Sequence, residues 1–308
     1  MSDELVTIID HIRWAASRFH AAGLSFGHSY DNALDEASHL VLHTLHMPHD
    51  LPPAYGVARL TADERAQVCA MVARRIDERM PTAYLTGEAW FCGLPFDISP
   101  AVLVPRSPIA EMIREGFQPW LGDREVMHAL DLCTGSGCIG IAMAVNFPEW
   151  QVDLADLSAA ALAIARTNIE HHDVGDRVRA IESDLFAALA GTRYDLIVSN
   201  PPYVARADVD ALPAEYAHEP RLGLQSGEDG LDIPLRILRD APAHLSDHGL
   251  LILEVGDSDR RLRALLPDLP MVWVEFSVGS MGVAVIERDD LLAHADAINA
   301  ALAARGLS

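Results

Sequence analysis

Apolar residues recur at Leu5, Ile8, Ile9, Ile12 and Ala16, which is one stripe of a helix. The same period predicts a helix from Asp31 to Leu45, stopped by Met47-Pro48, and a third from Thr61 to about Met80. Thr61-Ala62-Asp63-Glu64 has the spacing of a capping box, with Thr61 as cap and Glu64 reaching back. These elements predict a small helical domain over residues 1–82.

The texture changes at Ala83. Aromatic and β-prone residues punctuated by Gly and Pro, through Trp90-Phe91-Cys92-Gly93 to Pro105, predict a β-hairpin linker over residues 83–106. Ser107 is a good helix cap and Pro108 a good first helical residue, and that helix should run to about Phe117.

Beyond it, short apolar runs alternate with helical periods. Strands are expected near 127–132, 151–156, 178–182, 194–199, 249–255, 271–276 and 282–287. Helices are expected near 138–147, 158–171, 231–245 and 258–267, with a terminal helix from Asp289 to Ala304. Such alternation predicts an α/β fold over residues 107–308: seven strands, mostly parallel, with helices on both faces. Ser277 to Met281 is too short for a crossover helix, so the last two strands should pair antiparallel.

Composition narrows the partners. The 308 residues are half hydrophobic and carry a net charge of -22 with no lysine, so all 23 basic residues are arginine. A nucleic-acid binder needs a basic footprint to displace phosphate counterions, so this balance argues against direct nucleic-acid binding and favours a basic protein partner. Four scattered cysteines do not make a disulfide scaffold. The acidic start, Met1-Ser2-Asp3-Glu4, is unlike a secretory signal, and no apolar run approaches the ~20 residues of a membrane helix. A cytoplasmic protein is expected.

The chemistry centres on Asn200-Pro201-Pro202-Tyr203, which follows the apolar strand Tyr194–Ser199. Two prolines cannot donate to a ladder and stop the strand, holding the flanking Asn and Tyr with little backbone freedom. An Asn at the carboxyl end of a parallel strand lies where open α/β sheets bind ligands, and its amide offers an acceptor and two donors. Upstream, strand Ala129–Leu132 runs into Cys133-Thr134-Gly135-Ser136-Gly137-Cys138. Two glycines there permit a sharp turn and close ligand approach, but they fall short of a three-glycine dinucleotide fingerprint. Asp156 ends the next strand, about twenty residues on, where a carboxylate accepts from ribose hydroxyls. Asp184 follows the third strand and is placed to meet an adenine amino group. Together these predict a nucleoside pocket.

Four histidines, His39, His43, His46 and His49, lie close in sequence, the first two one turn apart. With Leu40, Val41, Leu42 and Leu45 between them and no Cys or carboxylate to complete a cluster, an amphipathic helix explains them and no metal is expected.

Gly135-Ser136-Gly137, Asp156, Asp184 and Asn200-Pro201-Pro202-Tyr203 resemble the motifs of class I (Rossmann-like) S-adenosylmethionine-dependent methyltransferases whose acceptor is a planar nitrogen. The helical front domain, the hairpin and Val104-Pro105-Arg106 are similar to the protein-glutamine methyltransferase branch. Trp90-Phe91-Cys92-Gly93, Arg106-Ser107-Pro108-Ile109 and the Glu215–Pro220 stretch are closer to members that modify the third large-subunit ribosomal protein. Release-factor enzymes usually carry Arg-Pro-acidic where this chain has Arg106-Ser107-Pro108, which counts against the release-factor glutamine as substrate.

The resemblance implies that S-adenosyl-L-methionine is held by Asp131, Thr134, Gly135, Ser136, Gly137, Cys138, Asp156, Leu157, Asp184, Leu185 and Asn200, with S-adenosyl-L-homocysteine as product. It implies catalytic roles for Asn200, Pro201, Pro202 and Tyr203, which with Arg106 would also hold the substrate. A basic ribosomal protein, met before assembly, is the expected partner. The long polar stretch from Ala205 to Glu228 reads as a functional loop whose acidic residues, Asp208, Asp210, Glu215 and Glu219, would suit that partner. The rivals are a DNA amino-methyltransferase, disfavoured by charge, a non-catalytic cofactor-binding assembly factor, disfavoured by the intact motifs, and, more distantly, a dehydrogenase.

Overall fold

The structure, a computed structural model, describes residues 4–28, 30–277 and 279–307. Met1 to Asp3, read above as the acidic start, and Val278, in the last turn, lie outside the described residues.

Three front helices, α1 (Ile8–Ala21), α2 (Ala33–Thr44) and α3 (Ala62–Asp77), surround a core of Phe19, Leu40, Val41, Val68 and Val72. Their starts are written in the sequence. Thr61 and Glu64 form the expected capping box, and Thr7 with Asp10 forms another at α1. The hairpin is β1 (Glu88–Phe91) with β2 (Leu94–Asp97). Its start differs from expectation: Thr82–Thr86 is a helical turn, opened by Pro81 and closed by Gly87 at φ 75. Phe91, Phe96, Val102 and Val104 pack into the core of the large sheet, not that of the front helices.

The large sheet holds β3 (His128–Leu132), β4 (Gln151–Asp156), β5 (Val178–Glu182), β6 (Tyr194–Ser199), β7 (Leu245–Glu254), β8 (Val272–Phe276) and β9 (Gly279–Glu287). Their spatial order is β5-β4-β3-β6-β7-β9-β8. The first five are parallel and β9 runs antiparallel to both β7 and β8, as the short last connection requires. Both faces are covered, and the central strands are buried along nearly their whole length.

Two further expectations are corrected. The terminal helix is broken at His294 into Arg288–Ala293 and Ala295–Ala303, and the His294 ring bonds back to the Asp290 carbonyl at 2.8 Å. The stretch 205–228 is folded rather than loose, with short helical segments at Arg206–Asp210, Ala214–His218 and Arg221–Leu224. Among the described residues no helix is long and apolar enough to cross a membrane.

Candidate active site

Chain order makes the cleft. The path runs outward from β3 through β4 to β5, then returns to the other side of β3 for β6 and β7. The reversal lies between β3 and β6, where an open parallel sheet leaves a crevice at its carboxyl edge. Leu132 pairs with Ser199, and Ser199 Oγ donates to the Leu132 carbonyl at 2.7 Å. The glycine turn and Asn200 therefore leave neighbouring strands at the same level. The residues at or just past the carboxyl ends of β5, β4, β3, β6 and β7 form one edge: Asp184, Asp156, the glycine turn, Asn200 and Glu254.

A cavity of about 830 Å³ opens along this edge. Its wall includes Arg106, Thr134, Gly135, Ser136, Cys138, Asp156, Leu157, Asp184, Leu185 and Asn200 through Tyr203. Two predicted residues act from behind it. Gly137 begins the helix Cys138–Asn146 in the left-handed region at φ 82, and Asp131 is fully buried. Asp131 Oδ2 accepts from Thr134 Oγ1 at 2.5 Å and from the Gly140 amide at 2.8 Å, so it braces the turn instead of lining the cavity. Burial pushes its pKa up to about 7.

Gly140 was missed. It stands three residues after Gly137 and completes a Gly-x-Gly-x-x-Gly spacing, so the fingerprint described as short is present. Its role is packing: a Cβ there would lie 2.1 Å from Leu154 Cδ2 and 3.0 Å from Asp131 Cβ. Only a glycine lets the helix lie this close to β3 and β4.

Asp156 Oδ2 accepts from the Gly135 amide at 2.9 Å and Oδ1 from the Ser158 amide at 2.8 Å. These bonds fix the carboxylate at the rim with lone pairs left over, and burial raises its pKa. Leu157 beside it is 53% exposed, an apolar surface over the cavity. Asp184 is less free than expected because its Oδ1 accepts from Arg236 Nη2 at 3.0 Å. Cys133 and Leu185 hold positive φ values of 63 and 50, so backbone strain gathers on the wall. Burial pushes the thiols of Cys133 and Cys138 upward, which keeps them protonated and unsuited to nucleophilic attack.

The Asn200 amide has no hydrogen-bond partner among the described residues, and neither has the Pro201 carbonyl. Both belong to residues of the cavity wall. Tyr203, by contrast, is held at both ends. Its hydroxyl donates to Glu254 Oε1 at 3.1 Å, and its carbonyl accepts from Ser258 Oγ at 2.9 Å. Its ring lies on Gly256, where a Cβ would come within 2.6 Å. Ser107 is engaged below, donating to Glu254 Oε2 at 2.6 Å and accepting from the Ile109 amide at 3.2 Å. Glu254 carried no signal in the sequence, since it reads as one residue near the end of the apolar strand expected at 249–255.

Arg106 lines the cavity, but its guanidinium makes a two-pronged pair with Glu219, whose second contact measures 2.8 Å, and lies 5.4 Å from the Tyr216 ring. The acidic residues of 205–228 are likewise spoken for. Glu215, 1% exposed, meets Arg75 and Arg79 and accepts from the Ser25 amide at 3.0 Å. Asp208 pairs with Arg261 and Asp210 with Arg221. The expectation that these carboxylates face a basic partner is therefore corrected for the buried Glu215 and Glu219, which tie the segment to α3 and to Arg106; Asp210 pairs within the segment, and Asp208 and Asp210 both remain at the surface.

The histidines also need correction. A carboxylate does complete the cluster: Glu88 of β1 joins His39 and His43, with ligand atoms all within 4.8 Å of one another.

Known proteins resemble this chain in sequence and in fold. Residues 118–216 match the family Methyltransferase small domain. The chain is 60% identical to the ribosomal protein uL3 glutamine methyltransferase of Xanthomonas campestris pv. campestris, over 99% of this chain and 98% of that protein. It is 45% identical to the protein of the same name from Francisella tularensis subsp. tularensis, over 96% of this chain and 94% of the relative. The fold is similar to the hMettl16 catalytic domain crystallised with MAT2A 3'UTR hairpin 1, at a TM-score of 0.51 and 17% identity, covering 89% of this chain and 90% of that one. With near-complete coverage at 60% identity and a methyltransferase fold, this chain belongs to the family of ribosomal protein uL3 glutamine methyltransferases.

Proposed function

We propose that this protein transfers a methyl group from S-adenosyl-L-methionine to the side-chain amide nitrogen of a glutamine in ribosomal protein uL3. The observation that carries the reading is the pair of unpartnered acceptors, the Asn200 side-chain oxygen and the Pro201 carbonyl, on the wall that also holds the Gly135 turn and Asp156.

The cavity fits the donor by its own chemistry. The Gly135 turn gives close backbone approach, Asp156 offers lone pairs for ribose hydroxyls, and Leu157 with Leu185 supplies apolar surface for a purine. The bound cofactor supplies an electrophilic methyl on a sulfonium. Everything else is positioning. A glutamine amide nitrogen is a poor nucleophile because its lone pair is delocalised into the carbonyl. Asn200 Oδ1 and the Pro201 carbonyl would accept its two N–H bonds, aim the nitrogen and disperse the positive charge that develops on it. Pro202 stiffens the corner, and the Tyr203 ring, fixed by Glu254 and Gly256, forms a flat wall for the planar amide. No strong base is needed, because the methylated nitrogen becomes acidic and gives its proton to solvent. Arg106, paired with Glu219, fixes the Val104 segment of the cavity wall, whose amide donates to the same carboxylate.

The partner is the free ribosomal protein. A chain of net charge -22 attracts a basic protein and is repelled by exposed ribosomal RNA. Incubation with radiolabelled cofactor and either purified uL3, intact large subunits or a release factor tests this. Label on one uL3 glutamine, located by mass spectrometry, is expected. Label on the release factor alone overturns the substrate, and label on intact subunits alone overturns the timing.

A further inference from the structure

His39 and His43 lie one turn apart on α2 with their rings 6.0 Å apart, and Glu88 approaches both from the start of β1. His39 is buried and the other two are half-buried. None of the three lines the methyl-transfer cavity. We propose that His39, His43 and Glu88 bind a divalent transition-metal cation of the zinc type, which clamps α2 to the hairpin.

The donor set selects the class of ion. Two imidazole nitrogens and one carboxylate oxygen suit zinc and its neighbours, whereas magnesium and calcium prefer oxygen throughout. A one-turn spacing on a helix is a spacing that zinc-binding histidines use, and it places both rings on one face. The His39 ring nitrogens meet His49 Nδ1 at 3.2 Å and Thr86 Oγ1 at 3.4 Å, and a bound ion would replace one of these contacts.

The surroundings are built as well. The Trp90 indole N–H donates to Glu88 Oε1 at 2.9 Å, holding the carboxylate from outside as supporting groups around metal ligands do. His49 stacks on His39 at 4.4 Å and 2°, with its Nδ1 3.2 Å from His39 Nδ1 and its Nε2 3.2 Å from Glu88 Oε1. It stands next to the cluster as a hydrogen-bonding neighbour and is not one of the three proposed ligands. Because the ligands come from the front helices and from the hairpin that leads to Arg106, the ion would stiffen the join between them.

The test uses the full chain without affinity-tag histidines, stripped with a chelator and titrated with Zn²⁺ alone by calorimetry and thermal melting. One equivalent should bind with a Kd of about 1 µM or tighter, raising Tm by several degrees at saturation, while Mg²⁺ leaves Tm unchanged. His43→Asn and Glu88→Gln, both half-buried and mild, should each weaken binding about tenfold or more; the glutamine keeps an acceptor for Trp90. Absence of saturable binding to the parent protein overturns the site. So does undiminished binding and Tm gain in both variants, which would assign the metal to other histidines.

Discussion

Tyr203 and Glu254, fifty-one residues apart, meet through a hydrogen bond of 3.1 Å on the floor of the cavity. The carboxyl is 4% exposed, and Ser107 occupies its other oxygen. Burial lifts its pKa from the ordinary 4.5 to about 7. The folded protein therefore keeps a proton that the unfolded chain has already released. That stabilisation is complete below about pH 4.5 and is lost as pH rises to about 7. Glu254→Gln removes the titration. Compared with the parent, its Tm should improve between pH 5 and pH 8, and an equal Tm difference at both pH values would contradict the buried, protonated carboxyl.

Asn200→Ala removes an acceptor with no hydrogen-bond partner among the described residues, so stability and cofactor affinity should stay close to the parent values. Turnover should fall on the order of 10²-fold or more, the usual effect of deleting one transition-state hydrogen bond. Single-turnover methyl transfer alongside equilibrium cofactor binding separates the two. Near-normal transfer would refute the role.

Asp156→Ala should do the reverse. Losing a charged acceptor costs about 1.5–3 kcal/mol, roughly ten- to a hundredfold in cofactor affinity. It also releases the Gly135 and Ser158 amides, so the turn loosens. Calorimetric titration with S-adenosyl-L-homocysteine measures the loss. An unchanged Kd would remove Asp156 from the ribose site.

Glu215→Ala leaves Arg75, 1% exposed, without one of its carboxylate partners. Breaking a buried pair costs about 3–5 kcal/mol. A Tm drop of several degrees is expected, with segment 205–228 becoming more sensitive to protease because its tether to α3 is cut. A Tm within one degree of the parent would show that this pairing does not hold the segment.

Ser107 illustrates what local reading can and cannot recover. As a residue at a helix start it was legible, and its Oγ does accept from the Ile109 amide, although the helix spans only Ile109–Arg114 and stops short of the expected Phe117. Its donation to Glu254, 147 residues away, was not. Gly140 was present in the sequence at the right spacing, but its need for a bare backbone becomes evident only where Leu154 crowds it.

The sequence by itself determined the parallel strands, the prolyl corner after β6, the glycine turn after β3 and the acidic residue that ends β4. Those depend on periods and turn chemistry over a few neighbouring residues, and strand alternation then brings their ends to one edge. Tertiary structure alone decided which charges are spent internally. Glu215 and Glu219 look like bait for a basic partner until Arg75, Arg79 and Arg106 are found against them, and only packing of the hairpin brings Glu88 to the α2 histidines. Such pairings join residues tens to more than a hundred positions apart, and packing of whole elements selects them; no local pattern encodes them.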